Sequence, residues 1–369
     1  MTTRRSFLST AGAITLGAAF MPLTGCESLA VDPVLRELDF PFITPNETFF
    51  TQFGANGALE NWPGVQQIPR NNWRLEIDGL VSNPLSLSFA DIDADPSAFR
   101  TVLATLRCIL DNNAVPGLVG TATWTGVPLR KFLDMAGANL QQARRLRLYG
   151  ADGFTNNITL DKLYNDETSD FIEPLLVVAM NNQPLRPEHG APVRLLMPGH
   201  YGYKSIKWLN RIEVTDDDTA FGTYQQILGY DDEGLVEINC KTTSLLKGAR
   251  ISAGKTRITG FAMSGDSGIE SVRISIDGDS FQPARLVTLS ELLASEDALK
   301  STIQIGDSDR FPYPYRGVWT LWEFDWEATP GEHLIYVKAF DAIGHEQPDT
   351  DEDPTDGLNP AVAVNVFVQ

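Results

Sequence analysis

The sequence predicts an α+β domain followed by an antiparallel β-sandwich, and three observations carry that expectation. The chain has 369 residues, 43% of them apolar, enough to bury a sizeable core, and its length suggests about two domains. Up to about Asp232 helical and strand patterns are mixed, whereas from about Glu237 onward apolar residues alternate in short runs broken by Gly, Asp and Pro. The three cysteines, Cys26, Cys108 and Cys240, cannot make the disulfide framework of a small secreted fold, so stability must come from the core.

The chain opens with an address. "TRRSFLS" carries paired Arg4 and Arg5, and the apolar run "AGAITLGAAFMPL" leads to "LTGC" ending at Cys26. Paired arginines, a short apolar stretch and a terminal cysteine in that order match a twin-arginine signal over 1–25 closed by a lipoprotein cleavage site. The apolar run is shorter than the roughly 20 residues a spanning helix needs. Cys26 is then the lipidated first residue of an exported, periplasmic, membrane-anchored chain, with a linker over 26–44. Twin-arginine export carries proteins already folded, so a cofactor inserted before export is to be expected.

Two domains follow, over 45–235 and 236–369. In the first, "VPLRKFLDMAG" places Leu129, Phe132 and Leu133 on one helical face, with Gly137 as the C-cap. In the second, "SVRISIDGDSF" sets Val272, Ile274 and Ile276 on one side of a strand, and "GVWTLWEFDW", "EHLIYVKAF" and "AVAVNVFV" repeat the alternation. Strands of this length between tight turns predict a sandwich. The acidic, Pro-containing run "QPDTDEDPTDG" reads as a solvated loop whose charge could also face a basic partner.

The net charge of −19 repels phosphate backbones and argues against nucleic acid as a partner. Two local features carry chemistry. Cys108 follows Leu106 and Arg107 in the apolar run "LRCIL"; alone, such a cysteine reads first as a small buried hydrophobe, and a neighbouring cation that lowers its pKa favours a functional thiol only slightly. The four histidines, His189, His200, His333 and His345, show no zinc or haem-attachment spacing. Downstream, "LRPEHGAPVRLLMPGHYGYKSIKWLNRIEV" gathers His189, Arg194, Lys204 and Lys207 around Gly and Pro turns. Cations concentrated in an acidic chain suit an anionic, phosphate-bearing ligand, although solvated basic residues on ordinary strands remain open.

Together, "ATLRC…GLVGTATWTGVPL" and "NNQPLRPEHGAPVRLLMPGHYGYKSIKWLNRIEV" resemble the molybdenum-cofactor domain of the sulfite oxidase family, and the sandwich resembles its immunoglobulin-like dimerisation domain. The resemblance covers roughly Thr44 to the C-terminus and implies a molybdenum–molybdopterin cofactor, with a homodimer as the expected assembly. It implies that Cys108 is the protein thiolate on molybdenum, and that the following loop, with Gly120, Thr121 and Ala122, wraps the pterin. Phe49 and Phe50 of "FFTQFG", Asp152 of "LYGADGF", and His189, Arg194, Lys204, Ser205 and Lys207 are then cofactor contacts. Tyr230 of "QQILGY" matches the active-site tyrosine, with Tyr224 as the alternative.

The departures from that family concern its substrate arginines. Gln52, and Asn112 and Asn113, stand where two are expected, and no arginine lies near "LNPAVAV", which leaves Arg107 as the nearby cation to restore part of the charge. Lost charge-assisted hydrogen bonds are worth roughly 1.5–3 kcal/mol each. The resemblance therefore implies two-electron oxygen-atom transfer at molybdenum on a small substrate less charged than sulfite, in either direction. With no haem, flavin or nicotinamide motif in the sequence, an external carrier, a c-type cytochrome or a membrane redox protein, is expected to move the electrons. The rival expectation is a non-catalytic lipoprotein that keeps the fold as a binding module. Cys240 of "EINCKTT" is expected to be a structural thiol.

Overall fold

The computed structural model describes residues 41–51, 64–111, 117–160, 173–296, 299, 313–350, 357 and 359–369. The expected signal with Arg4 and Arg5, Cys26, the linker as far as residue 40, Gln52, Asn112 and Asn113 lie outside them. All described residues belong to one compact unit, Leu35–Gln369. Among them no helix is long and apolar enough to cross a membrane.

In chain order the first part contains β1 (Arg74–Gly79), β2 (Leu85–Ser88), α1 (Phe89–Asp93), β3 (Arg100–Arg107), β4 (Val119–Pro128), α2 (Leu129–Ala136), β5 (Arg145–Gly150) and β6 (Thr155–Thr159). It continues with β7 (Leu175–Met180), β8 (Gln183–Pro184), β9 (Arg194–Leu196), β10 (Leu209–Thr215) and α3 (Thr223–Leu228). The second part contains β11 (Asn239–Thr242), β12 (Ala249–Ile251), β13 (Gly254–Met263), β14 (Ile269–Ile276), β15 (Gln282–Leu286), α4 (Leu289–Ser295), β16 (Thr320–Ala328), β17 (Gly331–Asp341) and β18 (Val364–Val368).

Helices contribute less than an α+β reading suggests: the longest described, α2, has 8 residues. It forms as expected. Leu129, Phe132, Leu133 and Ala136 are its buried stripe, and Gly137 adopts φ 61° to close it, donating its N–H back to Asp134 O and Leu133 O. Two sheets build the first part, one in the order β2-β1-β10-β5-β6 and one in the order β3-β4-β7-β8 with β9 also on β7. Only β1 and β10 run parallel in these two sheets. The core between them joins Leu75, Ile77 and Leu146 to Val127, Leu176 and Leu195, with α2 packed in.

The β-rich second part follows one path, β11-β13-β16-β15-β14-β17-β18-β12. Strand β15 pairs with both β14 and β16, and inward side chains from both halves of the path, Ile258, Ala262 and Trp322 with Val272, Ile274, Val337 and Val366, share one core. The sequence alternation missed one feature: β12 pairs parallel to β18, because direction is set by tertiary pairing and leaves no trace in a period-2 pattern. Cys240 is buried on β11 without a disulfide. A further core runs across both parts, from Phe42, Ile109 and Tyr201 to Phe261, Val318 and Trp319. Trp319 donates its backbone N–H to Thr105 Oγ1 at 2.8 Å and its indole N–H to Phe42 O at 3.0 Å.

Because Leu133 is fully buried in the main core while Met135 on the same helix is 49% exposed, truncation should separate the two faces. Leu133→Ala is expected to lower unfolding free energy by about 2–5 kcal/mol, and Met135→Ala by no more than about 0.5 kcal/mol. Equilibrium denaturant unfolding with unchanged slope is the check.

Candidate active site

The antiparallel ladder of β3 and β4 sets Leu106 opposite Gly120 and Arg107 opposite Val119, so Cys108 emerges just past the end of the pair. Its N–H donates to Leu118 O at 2.8 Å, and its carbonyl accepts from Asp111 N at 2.9 Å. This holds the residue in a tight turn whose centre is Asp111. That carboxylate is fully buried and accepts from Gly117 N at 3.0 Å and Leu118 N at 3.1 Å through Oδ1. Its Oδ2 accepts from Lys241 Nζ at 2.7 Å and Arg107 Nε at 3.3 Å. Burial pushes the Asp111 carboxyl up, but the charges of Lys241 and Arg107 overcome it and hold it below the usual carboxylate range.

Strand alternation sends Leu106 and Cys108 to one side and Arg107 to the other. Leu106, Cys108 and Ile109 line a cavity, while Arg107, with no exposed surface, bonds Asp111 and reaches Tyr201 Oη at 3.4 Å. Arg107 is engaged with Asp111 on the other side of the strand, and its charge still lowers the Cys108 thiol, but by less than burial raises it. Burial pushes the Cys108 thiol up to about 11, the reverse of the lowering read from its neighbour in sequence, so the metal-free thiol is uncharged at neutral pH.

The second motif supplies the opposite wall. Gly190, at φ 103°, follows His189; a Cβ there would lie 3.0 Å from the Cβ atoms of Arg194 and Lys207, so only glycine lets this turn close on the two cations. Arg194 is buried, donating to His189 O at 3.1 Å and Ser205 O at 2.9 Å and stacking 5.1 Å from the Trp124 ring. Among the described residues it meets no carboxylate, and burial alone pushes it down to about 9. Lys207 Nζ donates to Glu188 O at 2.8 Å, and burial followed by the Arg194 charge depresses it strongly. His189 Nε2 lies 3.0 Å from Asn46 O; a carbonyl can only accept, which assigns the proton to Nε2. Burial keeps the ring neutral-leaning, and Nδ1 is left buried without a partner. Trp208, next to Lys207, holds φ 50°, an uncommon conformation pinned by its indole N–H on Pro187 O at 2.9 Å.

Of the residues expected from sequence, the cavity brings together Cys108, Phe49, Phe50, Asp152, Arg194, Ser205 and Lys207. His189 stands behind Phe49, ring centroids 5.8 Å apart and edge-on. Three expectations are corrected. Gly120, Thr121 and Ala122 form strand β4 rather than a wrapping loop; a Cβ on Gly120 would meet the Phe49 ring at 2.8 Å, so the glycine admits Phe49. Lys204 faces the other way, donating Nζ to Asn157 O at 3.1 Å and to Asp232 O, because its neighbours Tyr203 and Ser205 take the cavity side. Tyr224, on the first turn of α3, lines the cavity, whereas Tyr230 packs behind it at 5.7 Å.

Sequence reasoning missed Phe154, Tyr203 and Trp208 in the lining. Each sits within a residue or two of one it singled out, but which of two neighbours faces the cavity is decided by turns that carry no period.

The donor set fits a large anionic heterocycle with a soft metal. A thiol stands at one end, cations without an acidic counterpart for Arg194 at the other, and an orphaned imidazole nitrogen lies beside them. Comparisons with known proteins agree. Residues 62–222 match the oxidoreductase molybdopterin binding domain. Sulfite oxidase of Gallus gallus is 27% identical over 357 residues, spanning 86% of this chain and 71% of that one. The oxidoreductase YuiH of Bacillus subtilis is 34% identical over 178 residues, 48% of this chain and 80% of that one. The sulfane dehydrogenase SoxCD of Paracoccus pantotrophus superposes with a TM-score of 0.65 at 22% identity, covering 90% of this chain and 87% of that one. The chain belongs to the molybdopterin-binding oxidoreductases of the sulfite oxidase family, and its cofactor is a molybdenum cofactor.

Two measurements probe this geometry. In cofactor-free protein, peptide-resolved alkylation of Cys108 between pH 7 and 9 should run about a hundredfold slower than at an exposed cysteine, and ordinary reactivity would contradict the burial. Asp111, with its folded pKa depressed, contributes stability above the unfolded value of about 4 that is lost as pH falls through the folded value. Asp111→Asn should therefore cost about 3–5 kcal/mol at pH 7, with the gap to wild type narrowing below pH ~4 in unfolding titrations.

Proposed function

We propose that the protein catalyses two-electron oxygen-atom transfer on a small substrate less charged than sulfite, passing electrons to or from a separate carrier. The observation that supports this best is one cavity walled both by the Cys108 thiol and by the buried Arg194 and half-buried Lys207. When bound, the molybdenum cofactor supplies the redox chemistry and the soft metal. Cys108 would ligate that metal as a thiolate, deprotonated on binding in spite of its raised pKa. Arg194 and Lys207 would compensate the anionic end of the cofactor, and His189 Nδ1 would accept from its heterocycle. Asp152, whose Oδ1 accepts from Phe154 N at 3.1 Å, lines the same cavity and would face the cofactor.

The reading of the substrate rests on charge. Arg107 is bound to Asp111 on the far side of β3, and Gln52, Asn112 and Asn113 offer only neutral amides. Charge-assisted contacts of the kind a dianion needs are each worth roughly tenfold in affinity or more. The β-rich part, read as an immunoglobulin-like domain over 236–369 after a cofactor domain over 45–235, would support a homodimer. Export through the twin-arginine segment and lipidation at Cys26 would place the enzyme at a periplasmic membrane surface. There its acidic surface suits a basic c-type cytochrome, or a membrane redox protein would serve. A non-catalytic binding module is disfavoured, since binding an anion alone gives no reason for the Cys108 thiol to share the cavity with Arg194 and Lys207.

Metal analysis and steady-state kinetics with an artificial carrier test the proposal. Wild type should carry molybdenum. Arg194→Ala and Lys207→Ala should lower its content without changing substrate preference, and Cys108→Ser should fold without turnover. Sulfite giving the highest kcat/KM of a panel with neutral compounds, at micromolar KM, would overturn the charge argument.

A further inference from the structure

Beside Cys108 the cavity wall changes character. Arg194 packs with Trp124 and, through Phe49, with His189, whereas the residues grouped with Tyr224 are aromatic. Phe154 meets Tyr224 edge-on at 5.2 Å, and Tyr203 meets it at 5.7 Å and 56°. Tyr230 stands 5.7 Å from Tyr224 and 5.9 Å from Tyr203. Ile109 and Leu110, which follow Cys108, pack in one cluster with Phe154, Tyr203, Tyr224 and Tyr230, which places these rings at the thiol end of the cavity.

The rings are held from behind. Tyr203 stacks on Tyr201 at 6.3 Å and 12°, and its carbonyl accepts from Asn156 Nδ2 at 2.7 Å. Phe154 is fixed by a carbonyl that accepts from Gly150 N at 2.8 Å. Helix α3 is docked to β6 by Thr155 N donating to Thr223 Oγ1 at 3.0 Å. Aromatic walls set in place by such bonds need no reordering when a ligand arrives, which favours binding.

A hydroxyl completes the pattern. Among the described residues the Tyr224 hydroxyl, in the cavity wall, makes no hydrogen bond, and a phenol is a neutral donor at neutral pH. A neutral phenol donor beside aromatic faces suits one uncharged oxygen acceptor on an apolar body; it does not replace the cations a dianion requires.

Building on the function proposed above, we infer that the substrate is an uncharged molecule with an oxygen acceptor and an apolar, ring-sized body packed against Phe154, Tyr203 and Tyr224 from the cavity side. These three residues determine specificity.

Calorimetric titration of the molybdenum-loaded protein with methyl phenyl sulfoxide, dimethyl sulfoxide and sulfite tests the inference. The aryl sulfoxide should bind about tenfold tighter than dimethyl sulfoxide, and sulfite about tenfold or more weaker than the aryl compound. Phe154→Leu should shrink the aryl-to-dimethyl ratio severalfold with molybdenum content unchanged, and Phe154→Tyr should restore it. Tyr224→Phe should weaken both sulfoxides about threefold to tenfold. Tightest binding of sulfite, binding of none of the three, or an aryl preference untouched by Phe154→Leu overturns the inference. If Phe154→Leu does not fold, an aryl preference untouched by Tyr203→Leu decides in the same way. Loaded protein that favours neutral probes over sulfite without aryl preference overturns this inference alone, whereas protein without molybdenum overturns the proposed function with it.

Discussion

The buried Asp111 carboxylate organises the site. Its four side-chain acceptor contacts, to Gly117 N, Leu118 N, Arg107 and Lys241, tie the end of β3, the start of β4 and strand β11 into one knot. Without it, a turn that must present a thiol at one fixed angle would be a loose connection between strands. A buried carboxylate is tolerated only when its lone pairs are filled and a cation is near, and Asp111 meets both conditions. Lys241 comes from the second part of the chain, so the orientation of Cys108 depends on a residue far away in sequence. The Trp319 indole and backbone donors, reaching Phe42 and Thr105, extend the same dependence.

The opposite wall obeys a different constraint. Arg194 is buried and Lys207 half-buried in a chain of net charge −19, where an exposed cation could have found an acid cheaply in solvent. Arg194 instead has carbonyls and an indole face as partners, which lessen its desolvation but do not neutralise it. Such a site is stabilised by an anion and strained without one, so ligand binding and folding stability are linked there. Gly190 and the left-handed Trp208 show the backbone bent to bring these groups together.

Between the walls lies the contrast that governs chemistry. Cations are gathered at the end read as holding the cofactor, and the wall by the thiol is mainly aromatic. Family membership defines the cofactor and leaves open what reacts with it; that part of the molecule is built from Phe154, Tyr203, Tyr224 and Tyr230, positioned by α3 and the β5–β6 turn.

By itself the sequence determined the local pieces. The 3.6-residue stripe and terminal glycine of α2 and the alternation of β14 and β17 follow from one-dimensional periodicity, which burial enforces residue by residue. The motif positions of Cys108, His189, Arg194 and Lys207 were legible through the resemblance of two motifs far apart in the chain to a known family. Only the tertiary structure decided which neighbour faces inward. Arg107 turned to Asp111, Lys204 to Asp232, and Tyr224 rather than Tyr230 reached the cavity, because side-chain direction at turns and strand ends is set by partners distant in sequence. The pKa of Cys108 was decided there too: adjacency in sequence placed a cation beside it, but desolvation in the folded cavity outweighed a charge already held by Asp111.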